Sequence, residues 1–193
     1  MSTRFHLFVS AGPDLDVERE VIGRVVAALP VQLGWEIKRT PPPGKATPSG
    51  LDVVARCDLF FLIIGHDISA PVGVEWDTAR RSGRRVVPLV RRGAHTPAAN
   101  IFLRETRLEW QTFESVSELE RLVRAALVDV LLERAIDFRL TPEEWEALNR
   151  LQAAEEEEGE ESSEPPEPAG AGGGGVILGP DDATEGGVLI EES

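Results

Sequence analysis

The chain has 193 residues, 41% of them hydrophobic, and a formal net charge of −14 at pH 7. This length is enough for one substantial hydrophobic core and a flanking segment. All 20 Lys and Arg residues and 21 of the 34 acidic residues lie within residues 1–150, so the excess negative charge belongs to the segment that follows. An acidic segment of this kind competes with phosphate groups and argues against a nucleic-acid partner.

The cysteine and histidine content excludes two further classes of protein. Cys57 is the only cysteine, so an internal disulfide is excluded and a reducing compartment is favoured. His6, His66 and His95 are far apart in the sequence and predict no metal site. The first residues do not have the pattern of a signal peptide. No apolar run is close to the length of about 18 residues that a membrane span needs. We therefore expect a cytoplasmic protein that binds neither metal nor membrane.

The first part of the chain predicts alternating strands and helices. Phe5–Ser10 has the pattern of a strand, and the helix after it has apolar residues at four-residue spacing. Trp35–Thr40 predicts a second, more polar strand. The segment from Pro41 to Gly50 is a loop rich in Pro and Gly, and a short helix over Leu51–Arg56 follows it.

Two fully apolar strands then flank a helix that carries one acid. Leu59–Ile64 and Val86–Val90 have the continuous apolar pattern of parallel strands that are covered on both faces. Glu75 lies in the helix between them, near the carboxyl edge of the sheet, where ligands of open α/β sheets bind. Glu75 is therefore a candidate functional residue. An acid in the first turn of a helix is also favoured by the helix dipole alone, by about 0.3 to 1 kcal/mol, so both interpretations stay open.

The last part of the chain predicts two helices and a tail. A short strand near Leu108–Trp110 precedes an amphipathic helix over Ser117–Arg134. Thr141, Pro142 and Glu144 have the pattern of a helix start, and the helix that follows either docks on the domain or binds a partner. From residue 155 the composition is acidic and rich in Gly and Pro, which is typical of disorder. The sequence predicts three parts: an α/β domain at 1–136, a C-terminal helix at 137–154 and a disordered acidic tail at 155–193.

Two segments carry a resemblance to a known family. The segment from Glu75 to Leu89 resembles, without a gap, the part of TIR domains in which the helix with the key glutamate leads into the next core strand. Phe8-Val9-Ser10, followed by Asp14-Leu15 and Glu18-Arg19, resembles an uncharacterised TIR-like family. The signature of that family is a strand ending in Ser-Ser-Thr and then Asp-Leu-x-x-Glu-Arg. The resemblance covers residues 5–134 and implies a flavodoxin-like or TIR-like α/β fold, with a parallel sheet of about five strands and helices on both faces.

The resemblance also implies an activity, namely cleavage of the bond between nicotinamide and ribose in NAD by a self-assembled protein. NAD would be a substrate, and no cofactor is implied. Nicotinamide leaves as a neutral base, so one carboxylate, that of Glu75, is enough to stabilise the transition state. Ser10, at the end of the first strand, and His66 and Asp67, after the third, are expected to contact the bound ligand.

Three functions remain open on the sequence. The first is a signalling or bacterial defence effector that cleaves NAD with Glu75 as a homo-oligomer. The second is a noncatalytic module that senses a nucleotide or assembles with like domains through the Pro41–Gly50 loop. The third is an adaptor whose tail recruits protein partners. The apolar clusters at 176–178 and 188–190 are either chance hydrophobic residues in an unstructured end or short strands that add to a sheet edge of a partner or of this domain. Asp14, Glu18 and Arg19 are predicted to be a helix cap and surface charges.

Overall fold

The computed structural model describes residues 4–41 and 48–161, apart from the side chains of residues 48, 49 and 156–161. The strands are β1 (Arg4–Ala11), β2 (Gly34–Arg39), β3 (Leu59–Ile64), β4 (Arg85–Arg91) and β5 (Gln111–Phe113). The helices are α1 (Asp16–Ala28), α2 (Pro48–Val54), α3 (Ala70–Arg81), α4 (Pro97–Glu105), α5 (Val116–Glu133), α6 (Ala135–Phe138) and α7 (Pro142–Glu161). A 3₁₀ turn, Pro13–Leu15, precedes α1.

The five strands form one parallel sheet in the order β2-β1-β3-β4-β5. This is the flavodoxin-like order, so the predicted fold class is confirmed. The chain runs outward from β1 to β2 and then turns back to β3 on the other side of β1. The direction of the strand order therefore reverses between β1 and β3, and sheets of this kind bind ligands at the carboxyl ends of the strands beside such a reversal.

The central strand β3 supplies side chains to both hydrophobic layers. Leu59, Phe61 and Ile63 belong to one layer, which also contains side chains of α1 and α5. The alternate residues Phe60, Leu62 and Ile64 belong to the other layer, which contains side chains of α2, α3 and α4. All six residues are fully or almost fully buried. The strand is apolar along its whole length because helices cover both faces of the sheet, as the sequence predicted.

The predicted strand at Leu108–Trp110 is wrong, because the strand begins three residues later, at Gln111. Arg107 adopts a left-handed conformation, with φ of 51°, at the bend after α4. Beyond that bend the indole Nε1 of Trp110 donates a hydrogen bond to the carbonyl of Leu103 at 3.2 Å. The apolar side chains of this segment therefore pack against α4 and the second layer, and do not extend the sheet.

The last helix, α7, docks on the domain and does not stand free. The hydroxyl of Thr141 accepts from the amide of Glu144 at 3.2 Å, and Glu144 in turn accepts from the amide of Thr141, so the predicted helix start is confirmed. Leu148 is fully buried in the first layer. The helix continues to Glu161, past the predicted boundary at 154, because Ala and Glu are good helix formers.

The predicted tail and the Pro/Gly loop fall largely on residues other than the described ones. The predicted tail from residue 162 onward, with both of its apolar clusters, lies outside the described residues, as does most of the Pro/Gly loop, residues 42–47. None of the described helices combines the length and the hydropathy needed to cross a bilayer.

Candidate functional site

Glu75 lies in the second turn of α3, not in the first, because the helix begins at Ala70. The helix dipole acts mainly on the first turn, so it does not account for this acid. Ala79, one turn further along the same face, is fully buried on the sheet. The same face therefore directs Glu75 inward, and only 3% of the residue is exposed.

The carboxylate of Glu75 accepts two hydrogen bonds from the neighbouring strands β1 and β2. The hydroxyl of Ser10 donates to Oε2 at 2.6 Å, and the hydroxyl of Thr40 donates to the same oxygen at 2.7 Å. Thr40 is fixed in turn, since its Oγ1 accepts from the amide of Ala11 at 3.1 Å and its own amide donates to the carbonyl of Val9. The predicted proximity of Ser10 to Glu75 is thus present in the structure.

Thr40 was not singled out by the sequence analysis. The signal for it was available, because Thr40 ends the predicted second strand and β2 lies beside β1 in the sheet. A polar residue at the carboxyl end of a parallel strand falls at the same edge as Ser10 and the helix with Glu75. The strand order was needed to see this, and it was not known from the sequence.

Burial and hydrogen bonding act in opposite directions on Glu75. Burial raises the pKa of the Glu75 carboxyl above its ordinary value, because the charged form loses contact with water. The hydrogen bonds from Ser10 and Thr40 and the positive charge of Arg19 oppose this rise. A buried carboxyl with a raised pKa and hydroxyl partners is typical of functional sites, although structural networks produce it as well.

Arg19 connects α1 to this site. Its Nη1 donates to Oδ1 of Asp16 at 2.6 Å, and its Nη2 donates to the carbonyl of Ala11 at 2.5 Å. The Nε atom is buried without a hydrogen-bond partner among the described residues. The sequence predicted a surface charge at Arg19. In the structure Arg19 is instead a cation that holds the end of β1 beside Glu75.

A pocket of about 180 Å³ adjoins the carboxylate. Its lining residues are Ala11, Pro13, Asp16, Arg19, Thr40, Pro41, Ser69 and Pro71. Thr40 and Arg19 belong both to this wall and to the surroundings of Glu75. Three of the lining residues are prolines from three separate segments, which gives the pocket rigid apolar walls. Glu75 itself is not among the lining residues, and its carboxylate is joined to the pocket wall through Thr40.

His66 and Asp67 lie at the same edge of the sheet but make no contact with Glu75. The amide of His66 donates to Oδ2 of Asp14 at 2.9 Å, and its ring Nδ1 lies 2.8 Å from the carbonyl of Ala94. Asp67 accepts hydrogen bonds from Thr96 and from the amide of Ile68, which lower the pKa of its carboxyl. Both residues are exposed, and neither lines the pocket. Their expected contact with a ligand stays a prediction.

The Asp-Leu-x-x-Glu-Arg segment has roles inside the fold, in contrast to the predicted cap and surface charges. Leu15 occupies the cap position of α1, and no side chain caps the helix. Glu18 is only 8% exposed and accepts from Nη1 of Arg91 at 2.9 Å. Asp14 lies 3.6 Å from Nη2 of the same arginine. The two acids thus connect the start of α1 to the end of β4.

The absence of a side chain at Gly65 leaves room for the carboxylate of Asp14. A Cβ atom at this position would lie 2.2 Å from Oδ2 of Asp14, which real atoms do not reach without a shift. The same oxygen accepts from the amide of His66, so the end of β3 and the Pro13–Leu15 turn fit together directly. Among residues 4–41 and 48–161 there is no cluster of His, Cys, Asp and Glu that could hold a metal ion.

No protein-family model and no curated protein matches the sequence. A solved structure of a CMP N-glycosidase, BcmB, from Clostridium botulinum aligns with 62% of this chain and 98% of its own. The two sequences are 21% identical over the alignment, and the TM-score is 0.38.

Proposed function

We propose that this protein is a TIR-like signalling or defence effector that cleaves the nicotinamide–ribose bond of NAD, with Glu75 as its catalytic residue. The observation that supports the proposal is the position of Glu75. Its carboxylate lies beside a pocket at the carboxyl edge of β1 and is held there by two hydroxyl groups. Ligands of this fold class bind at that edge.

The chemistry requires few groups from the protein. Water adds to C1′ of the ribose, the bond from C1′ to the nicotinamide nitrogen breaks, and the bonding electrons neutralise the pyridinium. The products are ADP-ribose, nicotinamide and a proton. The leaving group needs no general acid, so the ionised form of Glu75 has the role of stabilising the positive charge that develops on the sugar.

The size of the pocket supports the part of the proposal that concerns assembly. Ligand pockets usually have volumes of about 300 to 1,000 Å³, and this pocket has about 180 Å³. A dinucleotide is larger than this volume, so most of it would project outside the pocket. We therefore propose that a second copy of the chain covers the remainder of the substrate.

The test compares nicotinamide release by the wild-type protein and Glu75→Gln at high protein concentration. Glu75→Gln keeps the shape and a hydrogen-bond acceptor but removes the charge, so we expect release to fall by at least about 100-fold. Asp77→Asn is the matched control, because Asp77 lies on the same helix and pairs only with Arg80 and Arg81 among the described residues. Equal release by wild type and Glu75→Gln would contradict the proposal.

A noncatalytic module is the second candidate, and the burial of Glu75 favours it. The residue is 3% exposed and does not line the pocket, and its carboxylate joins α3 to the ends of β1 and β2. In a module that senses a nucleotide or assembles with like domains, this acid would have a structural role only. Nucleotide binding or assembly that persists in Glu75→Gln, with no nicotinamide release by the wild type, would support this alternative.

A further inference from the structure

The two hydrogen bonds to Glu75 end on one oxygen of its carboxylate. Ser10 and Thr40 both donate to Oε2, at 2.6 and 2.7 Å. No described residue donates a hydrogen bond to Oε1. Oε1 is also not among the fully buried polar atoms of the described residues that lack a partner. The carboxylate is therefore held at Oε2, while Oε1 has no donor among the described residues.

The direction of the hydrogen bond from Thr40 is fixed by its surroundings. The amide of Ala11 donates to Oγ1 of Thr40, which occupies an acceptor site of that oxygen. The single hydroxyl proton of Thr40 then serves Oε2 of Glu75. Ser10 is fully buried, and its one proton goes to the same oxygen. Both donors thus favour one orientation of the carboxylate.

We infer that Ser10 and Thr40 are positioning residues, which hold Oε2 of Glu75 so that Oε1 is the oxygen that contacts the ligand. The inference deepens the proposed function and rests on it for the identity of the ligand. Thr40 also lines the pocket, so the hydroxyl that orients the carboxylate belongs to the wall that a ligand would meet. A carboxylate fixed in advance loses less free energy when it stabilises charge in a transition state.

The same geometry acts on the balance between the charged and the neutral form of this buried acid. Burial disfavours the Glu75 anion, and each hydroxyl donor favours it. Removal of either donor should raise the pKa of Glu75 further. A residue that only filled space would leave that pKa unchanged.

The test uses the full chain and four variants. Ser10→Ala and Thr40→Val each remove one donor with little change of shape, whereas Thr40→Ser keeps the hydroxyl. Thr78→Val is the matched control, because the hydroxyl of Thr78 donates to the carbonyl of Val74 within α3 and not to Glu75. The pKa of Glu75 is measured from its side-chain ¹³C resonance, which is assigned by its absence in Glu75→Gln.

We expect the pKa of Glu75 to rise in Ser10→Ala and Thr40→Val and to stay at the wild-type value in Thr40→Ser and Thr78→Val. With NAD as the substrate, kcat should fall about tenfold or more in the first two variants, while KM changes little. The lower limb of the pH profile of kcat should move to higher pH with the measured pKa. If Ser10→Ala does not fold, Thr40→Val and Thr40→Ser still compare the pKa of Glu75 without and with a hydroxyl donor.

An unchanged pKa of Glu75 in folded Ser10→Ala and Thr40→Val would overturn the inference. A wild-type protein that releases no nicotinamide would overturn the proposed function instead. The titration would in that case still decide whether the two hydroxyls hold the carboxylate. The two failures are thus distinguishable.

Discussion

Glu75 joins three segments that are far apart in the sequence. Its carboxylate contacts Ser10 at the end of β1 and Thr40 after β2, and its own backbone belongs to α3. A buried acid with neutral donors is held at a cost, since the charged form is desolvated. This cost varies with pH and can be measured apart from any activity.

The free energy of unfolding of the wild type, relative to Glu75→Gln, should fall as pH rises. The pKa of Glu75 is higher in the folded chain than in the unfolded chain, so the folded state binds more protons between the two values. The relative stability is therefore greatest below the pKa of the unfolded chain, falls through the folded pKa and is constant above it. Urea unfolding at a series of pH values measures this difference.

Asp77→Asn gives the control with the opposite sign. The hydrogen bond from Arg80 and the charge of Arg81 lower the pKa of Asp77, which is partly exposed on the same helix. The stability contributed by Asp77 should be present above the pKa of the unfolded chain and be lost as pH falls. A difference between wild type and Glu75→Gln that did not depend on pH would contradict the assigned shift of Glu75.

Among the elements, helix α7 has few apolar residues but is held on the domain by several contacts. The helix buries Leu148 fully against the first hydrophobic layer, and its capping residue Glu144 also accepts from the amide of Gln32. Arg124 of α5 pairs with Glu155 of α7 at 3.1 Å. The helix is thus held near its start, at its middle and further along its length.

Leu148→Ala should lower the free energy of unfolding by about 2 to 5 kcal/mol, because it leaves a cavity in the core between helices. Glu146→Ala, on the exposed side of the same helix, should change it by less than about 0.5 kcal/mol. Chemical denaturation of both variants measures the effect. Equal stabilities would mean that α7 docks only weakly and is available to a partner.

At the scale of the whole molecule, the ion pairs of Arg91 join segments that are far apart in the sequence. This arginine, at the end of β4, pairs with Glu18 of α1 and with Asp14 of the preceding turn, residues that are more than 70 positions away. Its neighbour Arg92 pairs with Glu114, and both side chains of that pair are largely exposed. The two arginines offer a matched comparison of a half-buried ion pair with an exposed one.

Arg91→Met should destabilise the protein by about 1 to 3 kcal/mol, because Glu18 would then be buried without its partner; the partial exposure of Arg91 moderates the effect. Arg92→Met should change the stability by less than about 1 kcal/mol. Thermal and urea unfolding of the two variants test this. A loss of the same size in both would show that the burial of Glu18 has no influence.

More of the fold than of the candidate site could be predicted from the sequence. The strands β1 to β4 and helix α5 were predictable, because each has a clear apolar period. Helix α4 was missed, although Thr96 and Pro97 have the same start signal that identified α7 at Thr141 and Pro142. Glu75 and Ser10 were found from their places at strand and helix ends, but the role of Thr40 depends on which strands are neighbours.

The alternation of β3 between two apolar layers has a consequence for how its register is specified. In a half-exposed strand, a slip of one residue would expose the apolar side chains, but in β3 it would only exchange Leu59, Phe61 and Ile63 with their equally apolar neighbours. Hydrophobicity therefore cannot align this strand. The two ends of the strand align it instead. Asp58 pairs with both backbone groups of His6, and the amide of His66, after Gly65, donates to Asp14 in the turn that follows β1.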